Sequence, residues 1–312
     1  MRKCIKVLRL SVIAVCCAAL FGCGLTSDRI QPGVIPDATY HDNYQTMDGV
    51  RFHYEEYKGD GPVILLIHGF GSSTYTWREV IPPLSNRGFH VIALDMRGFG
   101  WSDKPLDGDY TPHALMEDVN AFLEAKGLSR VVYAGNSLGG FVGAMLALEH
   151  PDKVKKLILV DAAGEPTDTH PGVIKLAKWE HAAEAMKATA GSWIIRQNLE
   201  SAAYDKKVVT KERVLAYFER MQTVGAIDAM VSLAQNTDFF SLYSFATCLP
   251  NITAPTLIIW GENDTWIPLE CAHKYNQDIP DSTLVVIPEC GHIPQEEKPE
   301  LTARLIGDFA RE

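Results

Sequence analysis

Short runs dominated by apolar residues recur along this chain, and all but one are answered by a segment whose apolar residues fall at helical spacing. The runs lie at 63–67, 90–94, 131–134, 156–160, 256–260 and 283–287; the answering segments at 75–86, 112–126, 141–150, 269–277 and 299–311. Apolar runs without polar alternation are buried on both faces, as in a parallel sheet. Their alternation with helical segments predicts β-α-β units and a doubly wound α/β sheet. Ahead of them, 44–46 and 50–54 flank Met47-Asp48-Gly49, where Asp-Gly between alternating segments predicts a hairpin. From about 164 to 253 the pattern changes. No parallel strand is evident there, and 173–189, 192–203, 211–222 and 226–234 carry helical periodicity. This stretch reads as a helical cap inserted into one domain, because the blocks 41–163 and 254–312 must combine to complete one sheet.

One apolar run breaks abruptly. Val131-Val132-Tyr133-Ala134 leads into Gly135-Asn136-Ser137-Leu138-Gly139-Gly140, and the chain then turns helical until Pro151. Gly-x-Ser-x-Gly between a strand and a helix is a nucleophile elbow: the turn strains the serine backbone, and the glycines let strand and helix pass closely. The hydroxyl of Ser137 is thereby presented above the sheet, and the amide of Leu138 opens a helix toward developing negative charge.

The N-terminus has a different character. Arg2, Lys3, Lys6 and Arg9 precede an apolar run, 10–21, that is short for a membrane span, and Leu20-Phe21-Gly22-Cys23 follows. This is an export signal over 1–22 whose end resembles a bacterial lipobox, with Cys23 as the lipidated residue; by resemblance to enteric lipoproteins, Gly24 in place of Asp favours an outer membrane, where the cell has one. Residues 23–40 read as a tether. The expected location is that of an exported lipoprotein, held to a membrane through its N-terminal anchor.

Four of the 29 basic residues leave with the signal and none of the 39 acidic ones, so the mature chain carries a net charge of −14. Such a surface repels phosphate backbones, and no basic stripe is present, so a nucleic-acid partner is not expected. Cys248, Cys271 and Cys290 remain beyond the anchor, allow at most one disulfide, and lack zinc-type spacing. No metal or other cofactor is expected.

From about residue 40 onward the chain resembles the α/β-hydrolase fold enzymes. His68-Gly69-Phe70-Gly71 resembles their oxyanion loop, Asp95-x-Arg97-Gly98-x-Gly100-x-Ser102 the loop after the next strand, and 135–140 their elbow. Gly261-Glu262-Asn263-Asp264 with Pro268 resembles the acid loop, and Cys290-Gly291-His292 the histidine loop. Five motifs stand in the family's order. They imply Ser137 as nucleophile, His292 as general base and acid, and Asp264 as the carboxylate that orients His292, with the backbone amides of Phe70 and Leu138 forming the oxyanion hole. The residues themselves leave rivals: His68 for the base, read instead as bracing the oxyanion loop, and Glu262 or Asp161 for the acid. Asp95 reads as structural, ordering Arg97 and its loop. Trp101, Trp266 and the 239–243 cluster are read either as pocket walls or as ordinary core and cap packing.

The resemblance implies a small-molecule substrate, and a carboxylic ester in particular, cleaved through an acyl-enzyme. Relatives with haloalkane-dehalogenase or epoxide-hydrolase chemistry carry Asp where Ser137 stands. Meta-cleavage C–C hydrolases share Gly-Asn-Ser but usually continue His-Gly-x-Gly with Pro-Gly, where Ser72-Ser73 stand here. C–C, lactone and thioester hydrolysis are the alternative chemistries, and a catalytically silent surface binding protein the alternative class.

Overall fold

The computed structural model describes residues 30–31, 35, 39, 41–166, 177–189, 191–237 and 245–312. The export signal, Cys23 and the 239–243 cluster lie outside the described residues. Eight strands form one sheet in the order β1-β2-β4-β3-β5-β6-β7-β8. The strands are β1 (Asp42–Met47), β2 (Val50–Tyr57), β3 (Val63–Ile67), β4 (His90–Leu94), β5 (Val131–Asn136), β6 (Val154–Val160), β7 (Thr256–Gly261) and β8 (Ser282–Ile287). The hairpin β1-β2 is antiparallel, with Asp48 and Gly49 both at positive φ in its turn, and β2 also runs antiparallel to β4. All other pairs are parallel. Every residue of β5 and of β7 is buried, as unbroken apolar runs require.

Helices cover both faces. On one, Pro112–Ala125, Leu138–Glu149 and Leu269–Asp278 pack through Leu115, Phe122, Val142 and Tyr275; on the other, Ile81–Asn86 and Pro299–Arg311 pack through Ile81, Leu84 and Ile306. The periodic segment 75–86 is not one helix. It splits into a 3-10 turn, Thr74–Trp77, capped by the Ser73 hydroxyl, and a helix from Ile81 that takes Pro82-Pro83 into its first turn. Proline is tolerated there and would break a helix begun at 75.

The strand order places the site. The chain leaves β3 for β4 on one side and returns to β5 on the other, so the C-terminal ends of adjacent β3 and β5 flank a topological switch point, where open α/β sheets bind ligands. Between β6 and β7 stand the helices Ala182–Thr189, Ser192–Ala202, Lys211–Met221 and Ala226–Asn236. Among the described residues no helix is long and apolar enough to cross a membrane. One residue of the tether is fixed: Ile30 pairs in parallel with Thr223, beside the Lys211–Met221 helix.

Candidate active site

Ser137 sits between β5 and the helix Leu138–Glu149 with φ 54° and ψ −117°, a left-handed conformation that side chains rarely adopt. The turn is held by close packing. A Cβ on Gly135 would lie 2.2 Å from the Gly139 carbonyl oxygen, and one on Gly139 would lie 2.5 Å from that of Ile67, so only glycine fits either place. The Asn136 side chain secures the turn from below, donating from Nδ2 to the carbonyls of Val160 and His292, each at 3.1 Å.

The loop after β3 lies against Ser137, and Gly69 and Phe70 line the cavity above it. Its brace is His68, whose Nε2 accepts from the Met96 amide at 3.1 Å, leaving Nδ1–H to donate to the Gly69 carbonyl at 2.8 Å. Complete burial depresses the His68 pKa, consistent with a neutral ring in that role. Asp95 accepts from the amides of Thr74 (2.6 Å) and Trp101 (2.8 Å) and bonds His53 (2.7 Å). It thus holds the loop after β4, as expected, but not the Arg97 side chain. Arg97 turns instead to Asp118, with Nε 2.8 Å from Oδ2.

Asp264, three residues beyond β7, accepts at Oδ1 from the amides of Trp266 (2.7 Å) and Ile267 (3.0 Å), which aims Oδ2 at Nδ1 of His292 at 2.7 Å. Both side chains are almost wholly buried. The bond fixes the tautomer: Nδ1 donates, and Nε2 is left as acceptor. Glu262 is exposed. Asp161 is fully buried just beyond β6 with φ 44°, and its Oδ1 accepts from the Gly261 amide at 2.9 Å. Burial, reinforced by the charge of Asp264, raises its pKa well above the ordinary carboxyl range. Of the three acids considered, Asp264 is the one hydrogen-bonded to His292. Asp161, Asp264 and His292 bring ligand atoms within 4.8 Å of one another, but the Asp264–His292 bond already engages the atoms a cation would need.

Ser137 and His292 line one cavity of about 450 Å³, roofed by the helical insertion. Phe70, Met186, Ile194, Ile195, Met230 and Trp266 supply apolar wall; Gln197, Asn198, Ser201 and Gln222 supply neutral polar groups. The Trp266 ring lies 5.0 Å from that of His292. Trp101 is not a wall residue: it is buried under the Arg220 guanidinium, 4.9 Å from its ring centre.

Two glutamates that the motifs did not single out fasten the histidine loop. Glu297 accepts from the amides of Gly291 (2.7 Å), Tyr204 (2.8 Å) and Asp205 (3.0 Å), joining that loop to the insertion. Glu296, buried, accepts from Thr76 at 2.7 Å, pairs with Arg213 at 2.8 Å and bonds the Tyr217 hydroxyl. The available signal was a pair of acids inside a segment that otherwise packs, since carboxylates are almost never buried unpaired. Gly291 permits the contact, because a Cβ there would meet the Ala202 carbonyl at 2.2 Å.

Comparison with known proteins agrees with this architecture. The family model for the alpha/beta hydrolase fold matches residues 62–299. An uncharacterized hydrolase of Bacillus subtilis, YugF, is 30% identical over 267 residues, covering 85% of this chain and 96% of its own. The 2-hydroxy-6-oxo-6-(2'-aminophenyl)hexa-2,4-dienoic acid hydrolase of Metapseudomonas resinovorans is 31% identical over 273 residues, covering 85% and 89%. Among solved structures, a meta-cleavage product hydrolase of Pseudomonas fluorescens superposes with a TM-score of 0.75 at 27% identity, over 86% of this chain and 96% of that one. Proteins named epoxide hydrolase and lipase match at 28% and 29% identity.

Proposed function

The chain belongs to the alpha/beta hydrolase fold family, and from that premise we propose that it is a serine hydrolase of uncharged carboxylic esters. The observation that carries the reading is the His292–Asp264 bond of 2.7 Å beside a cavity that Ser137 and His292 line together. Nε2 of His292 takes the Ser137 proton as Oγ attacks the ester carbonyl. Asp264 stabilises the imidazolium so formed. The tetrahedral oxyanion turns to the amides of Phe70 and Leu138, each donor being worth roughly 2.7 to 4 kcal/mol. Collapse expels the alcohol, which takes the proton from His292; water, activated by the same ring, releases the acid and restores Ser137.

The cavity lining favours esters over the C–C reading that several relatives suggest. By their names those enzymes act on dienoates, which are carboxylates. Among the described residues lining this cavity none is lysine or arginine. A buried carboxylate left without a cation loses several kcal/mol of hydration. Ser137 at the elbow likewise disfavours the epoxide-hydrolase route, where an aspartate stands in relatives. The deciding experiment compares a chromogenic short-chain ester with a 2-hydroxy-6-oxodienoate. The ester is expected to have the higher kcat/KM, with Ser137→Ala inactive; preference for the dienoate, or ester turnover surviving Ser137→Ala, refutes the reading.

The working place proposed is a membrane surface, with Cys23 carrying the lipid. More than one acyl chain is needed for stable anchoring, and lipoproteins of this kind carry two or three. Radiolabelled palmitate should mark the wild type and not Cys23→Ser.

A further inference from the structure

At Ile30 the tether meets the molecule on the helical insertion; at Thr39 it bonds Asp42 as it enters β1. The Ile30 amide donates to the Gln222 carbonyl at 3.2 Å, and the Ile30 carbonyl accepts from the Val224 amide at 3.0 Å. Gln222 also lines the substrate cavity. Cys23 lies seven residues upstream of Ile30, and an extended chain spans at most ~3.3 to 3.6 Å per residue, about 25 Å in all. A lipid on Cys23 therefore keeps 222–224, and with them the rim of the cavity at Gln222, within that reach of a bilayer.

Charge is divided to match. The sheet blocks 41–163 and 254–312 hold 27 acidic and 15 basic residues, a net of −12, whereas 164–253 holds 10 and 9, a net of −1. An anionic bilayer repels the first body and is nearly indifferent to the second. The exposed large apolar side chains are divided the same way. Of the five among the described residues, only Leu106 belongs to the sheet blocks; Trp179, Trp193, Tyr204 and Leu215 belong to the insertion. Trp179 is 52% exposed and Trp193 59%, and tryptophan favours the boundary between headgroups and acyl chains.

We propose that the outer surface of the helical insertion, through Trp179 and Trp193, is the face this protein lays against a lipid bilayer, and that esters dissolved in that bilayer are its substrates. The proposal deepens the ester reading and rests on the assignment of a lipid to Cys23. The clamp at Ile30 aims the surface, the charge division selects it, and the two indoles enter the interface.

The test uses the full-length lipidated chain in mixed phosphatidylcholine and phosphatidylglycerol vesicles, with and without brominated acyl chains that quench nearby indoles. Trp77, Trp101 and Trp260 are buried and report little. Brominated vesicles should quench the wild type, and a Trp179→Phe, Trp193→Phe double variant should lose most of that quenching. A Trp179→Ala, Trp193→Ala variant should hydrolyse a vesicle-borne ester about tenfold more slowly, yet a water-soluble ester at the wild-type rate. Ile30→Pro, which removes the amide that bonds Gln222, should reduce the quenching with the chain still anchored. A chain that does not partition with the vesicles refutes the anchor and this orientation with it, leaving the ester assay in water to judge the chemistry alone. An anchored chain that is not quenched, or an alanine variant with undiminished vesicle-borne turnover, refutes the orientation only.

Discussion

The sheet body and the helical insertion are held together by different forces. Inside the sheet body, β3, β5 and β7 are apolar, buried and backed by helices on both faces, so the loops bearing Ser137, Asp264 and His292 rise from a scaffold with little freedom to shift. The insertion has smaller apolar clusters and meets the sheet body in two ways: Ala229, Met230 and Leu233 pack into the main core and Ile293 packs into an insertion cluster, while polar contacts join Arg213 to Glu296 and Glu79, Tyr217 to Glu296 and Ser72, and Glu297 to two amides. Dense apolar packing fixes a geometry to a fraction of an ångström. Where polar groups help fasten a second body, removing one partner loosens that join while the first body retains its shape.

The largest effect expected is in the sheet body. Ser137→Ala and His292→Ala should each lower kcat by about 10⁴ to 10⁶, and the double variant should be no worse than either, because the two act as one unit. Multiplying losses in steady-state rates would break the assignment of both to one reaction. The two buried acids should then separate. Asp264→Asn is expected to cost about 10⁴ in kcat through the wrong histidine tautomer. Asp161→Asn changes a carboxyl that accepts from the Gly261 amide and makes no bond to His292, so kcat and its pH profile should stay close to wild type. The reverse ranking would make Asp161 the triad acid.

Next in size is the fastening of the insertion. Glu296→Ala leaves the buried Arg213 with only the partly exposed Glu79 and should destabilise by about 3 kcal/mol, the lower end for breaking a buried pair. Limited proteolysis should then cut within the insertion before the sheet body unfolds. Cuts in both at equal rates would show the two bodies to be one cooperative unit.

The smallest effect lies at the opposite edge, where His53 bridges Asp95 (2.7 Å) and Asp42 (2.8 Å). Burial opposes its charge, but the attraction of Asp95 and the two hydrogen bonds outweigh that and raise its pKa to about 9. The folded pKa exceeds the unfolded one near 6.5, so the stabilisation is fully present below about pH 6.5 and is lost as pH rises through about 9. Up to about 3 kcal/mol should disappear across that window, at 1.36 kcal/mol per pKa unit. Urea midpoints at both ends of the window measure it; a flat profile, or one that rises with pH, would show His53 to be neutral in the native protein.

What the sequence disclosed follows the same division. Strand ends and the elbow were legible because a doubly buried strand must be apolar throughout and a tight strand-to-helix turn must carry glycine, both local demands. The helix over 75–86 was misread because periodicity outweighed Pro82-Pro83 in the reading, although proline could enter only a first turn. Asn136, Glu296 and Glu297 were passed over because their partners, Val160, His292, Arg213, Tyr217 and Tyr204, are distant in sequence, and a lone amide or acid gives no periodic signal. The choice among Asp264, Asp161 and Glu262 turned on side-chain direction, which strand position alone does not supply.

The His292 amide donates to the Ala202 carbonyl at 2.8 Å, at the end of an insertion helix, while Glu297 ties Gly291 to Tyr204 and Asp205. The backbone that carries the imidazole is thus suspended between two bodies, so strain applied to 202–205 is shared by Gly291 and His292.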